Sequence, residues 1–249
     1  MKRTIFVIIL LQLFNIFCYV TPTPVFRLQS VSEDYEKVWI HGKEYSKLTG
    51  VNTDVIIAFD ESIMGIISFD VEVVNYSMEP LLVSSELFTG YYLNKKRKEL
   101  KDNYQVMAID PEDELLRIDK GLSIENARYA QESGNKSLSS FFELVEDVSS
   151  IGKAKTKEER ERELAEDSQQ EEQDINDENY HETVEYRLLT EREKWSFSAL
   201  RKTTLPKDYS VSGKIYFPIV ANSHYFKIVF NEAKEDLNIL FKISSFESK

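Results

Sequence analysis

Residues 66–75 read Ile-Ile-Ser-Phe-Asp-Val-Glu-Val-Val-Asn, and no other stretch constrains the fold as tightly. Ile67, Phe69, Val71 and Val73 fall on one face, with Ser68, Asp70 and Glu72 on the other. Successive side chains in a strand point to opposite faces, so this alternation predicts a half-buried β-strand. Such a strand needs neighbours in its sheet and something apolar to cover its inner face. The late segment 203–218, Thr-Thr-Leu-Pro-Lys-Asp-Tyr-Ser-Val-Ser-Gly-Lys-Ile-Tyr-Phe-Pro, predicts a turn leading into a second such strand. Val211, Gly213, Ile215 and Phe217 share one side of it, and Pro218 suits a strand end, where no ladder donor is required. Residues 225–230 and 237–243 follow as two further apolar runs, which predicts a three-stranded meander at the C-terminus.

Shorter strand candidates are 35–40, 44–51, 54–59, 80–88 and 104–109. The late strands need a covering layer and the early ones at 54–75 supply it. The predicted fold is therefore mainly β (α+β): two antiparallel sheets built from 35–109 and 201–249, facing one another as a β-sandwich. The sandwich is interrupted by a helical insertion at 110–200. Asp110 can cap a helix, Pro111 fits its first position, and Glu112 and Asp113 suit its positive end. Leu115, Ile118 and Leu122 recur at helical spacing. Gly134-Asn135 is read as the end of that helix, with a second helix over 137–150. Val184, Leu188, Trp195 and Ala199 can share a helical face, and Trp195 is the residue expected to dock the insertion. An exposed tryptophan would point to sugar or partner binding, a buried one to core; Trp39 and Trp195 are the two in the chain.

Three segments, 71–83 (VEVVNYSMEPLLV), 108–119 (AIDPEDELLRID) and 200–218 (LRKTTLPKDYSVSGKIYFP), with the closing pair of strands, resemble bacterial exported immunoglobulin-like domains of unknown function, of the secreted antigen or lipoprotein type. The resemblance covers most of residues 40–245. It implies an immunoglobulin-like sandwich and no agreed catalytic set, so it assigns no functional residue. The long acidic insertion departs from that outline.

Lys2 and Arg3 precede an apolar run that ends near Val20, before Thr-Pro-Thr-Pro. A basic start and a short apolar run predict a secretory signal over residues 1–20, with 21–34 as a tether. Cys18 is the only cysteine. It is either the lipidated residue of a lipoprotein signal or the last residue removed with the signal, although the bulky Phe17 fits a lipoprotein box poorly. Either way no internal disulfide forms. The expected destination is the periplasm, envelope or outside, with membrane attachment only through the signal or a lipid on Cys18.

The formal net charge is −12, which argues against nucleic acid. It is concentrated: residues 157–193 hold 15 Asp or Glu and 5 Lys or Arg, a local −10. Residues 155–181 are almost without apolar side chains after Leu164, so they are read as an exposed helix or as disordered.

The sequence carries no glycine-rich phosphate loop and no G-x-S-x-G elbow. His41 and His224 flank strands and are read as surface or edge residues. His181 opens His-Glu-Thr-Val-Glu, which lacks the second histidine of a zinc pair, and is read as solvated. Residues 174–179 (DINDEN) lack the glycine and closing glutamate of a calcium loop. Glu61, Asp70 and Glu72 surround the best strand, and the wet face of an antiparallel sheet accounts for them. No catalytic, metal or cofactor residue is assigned. The function expected is a non-enzymatic binding or assembly module for an envelope protein, with the acidic insertion as its contact surface. The alternatives are an envelope hydrolase using a carboxylate pair, or a passive acidic spacer.

Overall fold

The structure is a computed structural model describing residues 25–31, 35–63, 65–100, 105–149, 157–220, 222–232 and 235–246. The predicted signal and Cys18 lie outside these residues. The described chain is β-rich, with open antiparallel sheets and two long helices. It divides into two compact units, one drawn from Met1–Ala108 and Thr204–Lys249, the other from Ile109–Thr203.

The first unit is built from strands β1 (Val25–Ser30), β2 (Glu36–Ile40), β3 (Lys43–Thr49), β4 (Thr53–Ile63), β5 (Ile66–Asn75), β6 (Leu81–Val83), β7 (Phe88–Leu93), β8 (Gln105–Met107), β9 (Thr203–Leu205), β10 (Tyr209–Pro218), β11 (Tyr225–Glu232) and β12 (Glu235–Phe246). One sheet has the order β1-β12-β11-β7-β8, the second β10-β5-β4-β3-β2, and β6 pairs with β9. The alternation read in 66–75 is realised: Ile67, Phe69, Val71 and Val73 are buried. Phe69 sits among Phe226 and Phe241 of the other sheet at 5.8 and 5.0 Å between ring centroids, and Phe217 reaches Phe226 at 5.1 Å. The inner faces of the two sheets therefore share one aromatic core.

Two expectations about the strands need correction. The last three strands do not form a meander. Only β11 and β12 are a hairpin, whereas β10 pairs with β5 in the second sheet. β11 is flanked by β12 and β7, whereas β10 is the end strand of the other sheet, and the chain between them crosses from one sheet to the other. The segment read as tether contains β1, paired along its length with β12. Its alternation of Phe26 and Leu28 with Arg27 and Gln29 suits a half-buried strand, and Leu28 is buried.

Asn75 organises one end of the second sheet. Its side-chain amide donates to the carbonyls of Glu79 (3.0 Å) and Leu205 (2.9 Å), and its Oδ1 accepts from Ser77 N (2.9 Å). Its own carbonyl accepts from Asp208 N at 2.6 Å. One fully buried amide thus ties two loops that lie 130 residues apart.

The second unit is an antiparallel helical hairpin of α1 (Pro111–Ser149) and α2 (Lys157–Ser198). Asp110 Oδ1 accepts from Glu112 N at 2.9 Å, so the predicted cap forms. The predicted stop at Gly134-Asn135 does not. One helix runs on to Ser149, so the second helix read over 137–150 is its continuation, and Lys136, one residue past the pair, meets Asp174 (2.7 Å) and Asp177 (3.2 Å) of the facing helix. From Leu115 to Lys136 the side chains withdrawn from solvent are Leu115, Ile118, Leu122, Glu125, Tyr129, Glu132 and Lys136, with Gly121 beside them. Their alternating spacing of three and four is a heptad seam. On α2 the seam contains His181, Leu188 and Trp195, seven residues apart. The acidic stretch is helical from Lys157 onward.

Candidate functional site

The Asp70 carboxylate is the first group to place, because a carboxylate pair is the enzymatic alternative. A β-bulge between Phe59 and Glu61 takes Asp60 out of register and turns it to the outer face of the second sheet. There Asp60 and Asp70 are bridged by two lysines. Lys43 and Lys214 each contact both carboxylates, Lys43 reaching Asp70 at 2.5 Å and Lys214 reaching it at 2.8 Å, while Ser68 donates to Asp60 at 3.1 Å. Burial alone would raise the pKa of Asp60, but the two ammonium groups outweigh it and hold the carboxyl below its ordinary range. A general acid needs the opposite shift. Two carboxylates and two ammonium groups in alternation form a charge-balanced clamp across β3, β4, β5 and β10. Glu72 is half-buried on β5 and Glu61 half-buried on β4.

The histidines separate. His41 and Gly42 form the two-residue turn between β2 and β3, with φ of 48° and 79°. Positive φ at both positions is the turn geometry that matches strand twist. His224 is half-buried and joins two strands through its backbone, donating to Leu93 O and accepting from Ile243 N at 2.9 Å each. His181 is not solvated, contrary to expectation: it is 9% exposed. Its ring stacks on Tyr129 at 4.1 Å with planes 8° apart, and its Nδ1 lies 3.2 Å from Glu125. The sevenfold spacing of His181, Leu188 and Trp195 was the available signal, since it carries the apolar stripe back onto the histidine. Arg128 and, second, His181 hold the Glu125 carboxyl below its usual range. Among the described residues no group of three or more His, Cys, Asp or Glu is placed to hold a metal ion.

The two tryptophans differ. Trp195 is buried at 5% exposure on the seam-side stripe of α2, whereas Trp39 is 63% exposed. Trp39 lies on β2, one end strand of the second sheet, which among the described residues pairs only with β3. All five residues of β2 are exposed, among them Val38 and Ile40. The two-residue turn directs the Ile40 carbonyl toward Lys43 N. Hydrogen-bonding direction alternates along an antiparallel strand, so Val38 and Glu36 also face β3. The backbone N–H and C=O groups of Lys37 and Trp39 then point to the open side. Natural edges are usually blunted by a projecting lysine. Here Lys37 is engaged elsewhere, donating to Ser30 O at 3.1 Å and pairing with Glu44 at 3.4 Å. An open ladder row and a large aromatic anchor thus coincide, which is the geometry for adding an extended chain to the sheet. The sequence offered Trp39 but not the fact that β2 is an edge, which depends on the order of the whole sheet.

No known protein family, curated protein or solved structure matches the chain. Among the described residues no helix is long and apolar enough to cross a membrane.

Proposed function

We propose that the protein is an exported, non-enzymatic binding or assembly module of the cell envelope that holds an extended segment of an envelope protein along the open edge of β2. The observation that carries this reading is the 63% exposure of Trp39 on a strand that, among the described residues, stands at the end of its sheet. Added strands gain affinity from main-chain hydrogen bonds and specificity from alternate side chains. Trp39 is the natural anchor, because aromatic residues dominate binding energy at such surfaces. Export rests on the basic and apolar N-terminus, with Cys18 as the residue that a lipid would occupy. What supports the immunoglobulin-like resemblance is two antiparallel sheets sharing an aromatic core. The consecutive order β2-β3-β4-β5 is a meander, where an immunoglobulin domain distributes successive strands between its sheets.

A photo-crosslinking residue at Val38 of the full-length protein, activated in the native envelope, tests the reading. A discrete adduct is expected, and its yield should fall about tenfold in Trp39→Ala, as for a central aromatic anchor. It should fall similarly in Lys37→Pro, which removes one outward donor and is tolerated at an edge. An adduct that persists at full yield in both variants would place the contact elsewhere.

A further inference from the structure

We propose that one end of the first sheet is a docking surface for the anionic headgroups of a lipid membrane, centred on the turn that follows β7. Residues 95–98 read Lys-Lys-Arg-Lys, and all four side chains are exposed. Asn94 gathers them into one turn: its Oδ1 accepts from Lys96 N at 2.8 Å and Lys98 N at 3.2 Å, and its carbonyl accepts from Arg97 N at 2.9 Å. Four adjacent cations repel one another, and a chain of net charge −12 has carboxylates enough to relieve them. Among the described residues no carboxylate pairs with any of the four. The cations continue onto the outward face of the sheet. Arg97 lies 5.3 Å over the Tyr225 ring, the exposed Lys242 stands opposite Tyr225 on β12, and the exposed Arg27 of β1 shares that face.

The direction of the strands selects the occupant. β1 and β11 begin at the end of the sheet where β7 and β12 finish. The chain therefore enters β1 at Val25, which is exposed, from the same end as the basic turn. The apolar N-terminal run stops near Val20, five residues earlier, a reach of at most about 18 Å. A chain held in a membrane by that run, or by a lipid on Cys18, brings the turn to the headgroups. The tip of the β4–β5 hairpin stands at this end too: Gly65 O accepts from Ile219 N at 2.8 Å, just past β10, and Ile63 beside it is exposed. Cations around an apolar side chain suit a membrane interface, whereas a soluble polyanion would use the cations alone. One lipid chain holds only reversibly, and a basic surface is the second signal that makes attachment stable. The acidity of the chain does not oppose this, because −10 of it lies in residues 157–193, in the other unit. The inference rests on the N-terminal attachment in the reading above and not on the β2 edge, so a missing adduct at Val38 leaves it standing.

The test is flotation of the full-length protein with two kinds of vesicle, phosphatidylcholine alone and phosphatidylcholine mixed with phosphatidylglycerol. Neutral vesicles report the N-terminal segment, and the ratio of the two reports the turn. Each cation at an anionic surface contributes about fivefold, so the mixed vesicles should retain the protein at least about a hundredfold more strongly at low salt. Lys95→Gln with Lys96→Gln should lower that ratio about 25-fold. Lys120→Gln with Lys207→Gln removes the same charge from α1 and from the turn before β10, and should leave the ratio within about twofold. All four lysines are exposed, and unchanged near-ultraviolet circular dichroism verifies that the variants fold. Equal retention on the two vesicles would overturn the proposal, as would an equal loss in both pairs of variants. Turn-dependent binding of heparin without a preference between the vesicles would replace the membrane by a soluble polyanion.

Discussion

Gly90 gives the sharpest test of how the aromatic core is built. It lies in β7 opposite Ile228, two residues from the pair Tyr92 and Phe226. The Phe226 ring lies across the space where a side chain at 90 would stand: an added Cβ would approach its Cε2 to 2.5 Å and Val106 Cγ2 to 3.0 Å. The backbone at Gly90 needs no left-handed conformation, so the requirement is for space alone. Phe226 cannot retreat. It is fully buried, 4.5 Å from Tyr92, 5.1 Å from Phe217 and 5.8 Å from Phe69 between centroids. Gly90→Ala should therefore cost about 1–3 kcal/mol by overpacking, even though alanine normally gains about 0.5–1 kcal/mol over glycine in a strand. Phe226→Leu removes the ring atoms that collide, at an expected cost of its own of about 1–1.5 kcal/mol. The double variant should be more stable than the sum of the single changes by about 1 kcal/mol or more, because the two positions compete for one volume. Urea unfolding followed by the near-ultraviolet circular dichroism of the packed aromatics measures all four corners. Additive costs, or a Gly90→Ala protein within about 0.5 kcal/mol of wild type, would refute the assignment of that space to Phe226.

Two further outcomes follow from polar groups. The folded-state pKa of Asp60 is depressed, so its contribution to stability is present above its unfolded value near 4 and is lost as pH falls through the folded value. Stability measured from pH 7 down to pH 2 should thus fall less steeply below about pH 4 in Asp60→Asn, after a loss at neutral pH of about 1–2 kcal/mol from the half-vacated lysines. An acid limb identical to wild type would remove Asp60 from the account. Asp110→Ala, which deletes the cap on Glu112 N, should cost the helical hairpin about 1 kcal/mol, read as a lower helical melting temperature at 222 nm, and Asp110→Asn should restore most of it.

What could be read from the sequence was local. The side-chain period of 66–75 and 209–218 specified strands without reference to anything else, and Asp110-Pro111 specified a helix start. Sheet membership was not local. Nothing within 209–232 says that β10 pairs with β5 while β11 pairs with β7, because both strands are apolar and the difference is decided by partners more than 130 residues away. Edge position has the same character: Trp39 is visible in the sequence, but its exposure follows from β2 being last in its sheet. His181 failed for another reason. Its neighbours are acidic, and local polarity suggested solvent, whereas the heptad phase shared with Leu188 and Trp195 places it on the seam. The clamp of Lys43, Asp60, Asp70 and Lys214 draws on four strands and a bulge, and no spacing in the chain announces it.

The position of β11 and β12 has a consequence for how the molecule comes into being. They follow the other described strands in sequence, yet they stand between β1 and β7 in the middle of the first sheet. Without them β1 has no described partner in its sheet, β7 keeps only β8, and Phe69 loses the Phe226 and Phe241 rings that face it. Strands β2 to β5 can pair in chain order, but β1 must wait for β12 and β7 for β11. A cut between β11 and β12 would remove a strand from the interior of the sheet rather than its margin, leaving β1 and β11 with unpaired edges where β12 stood.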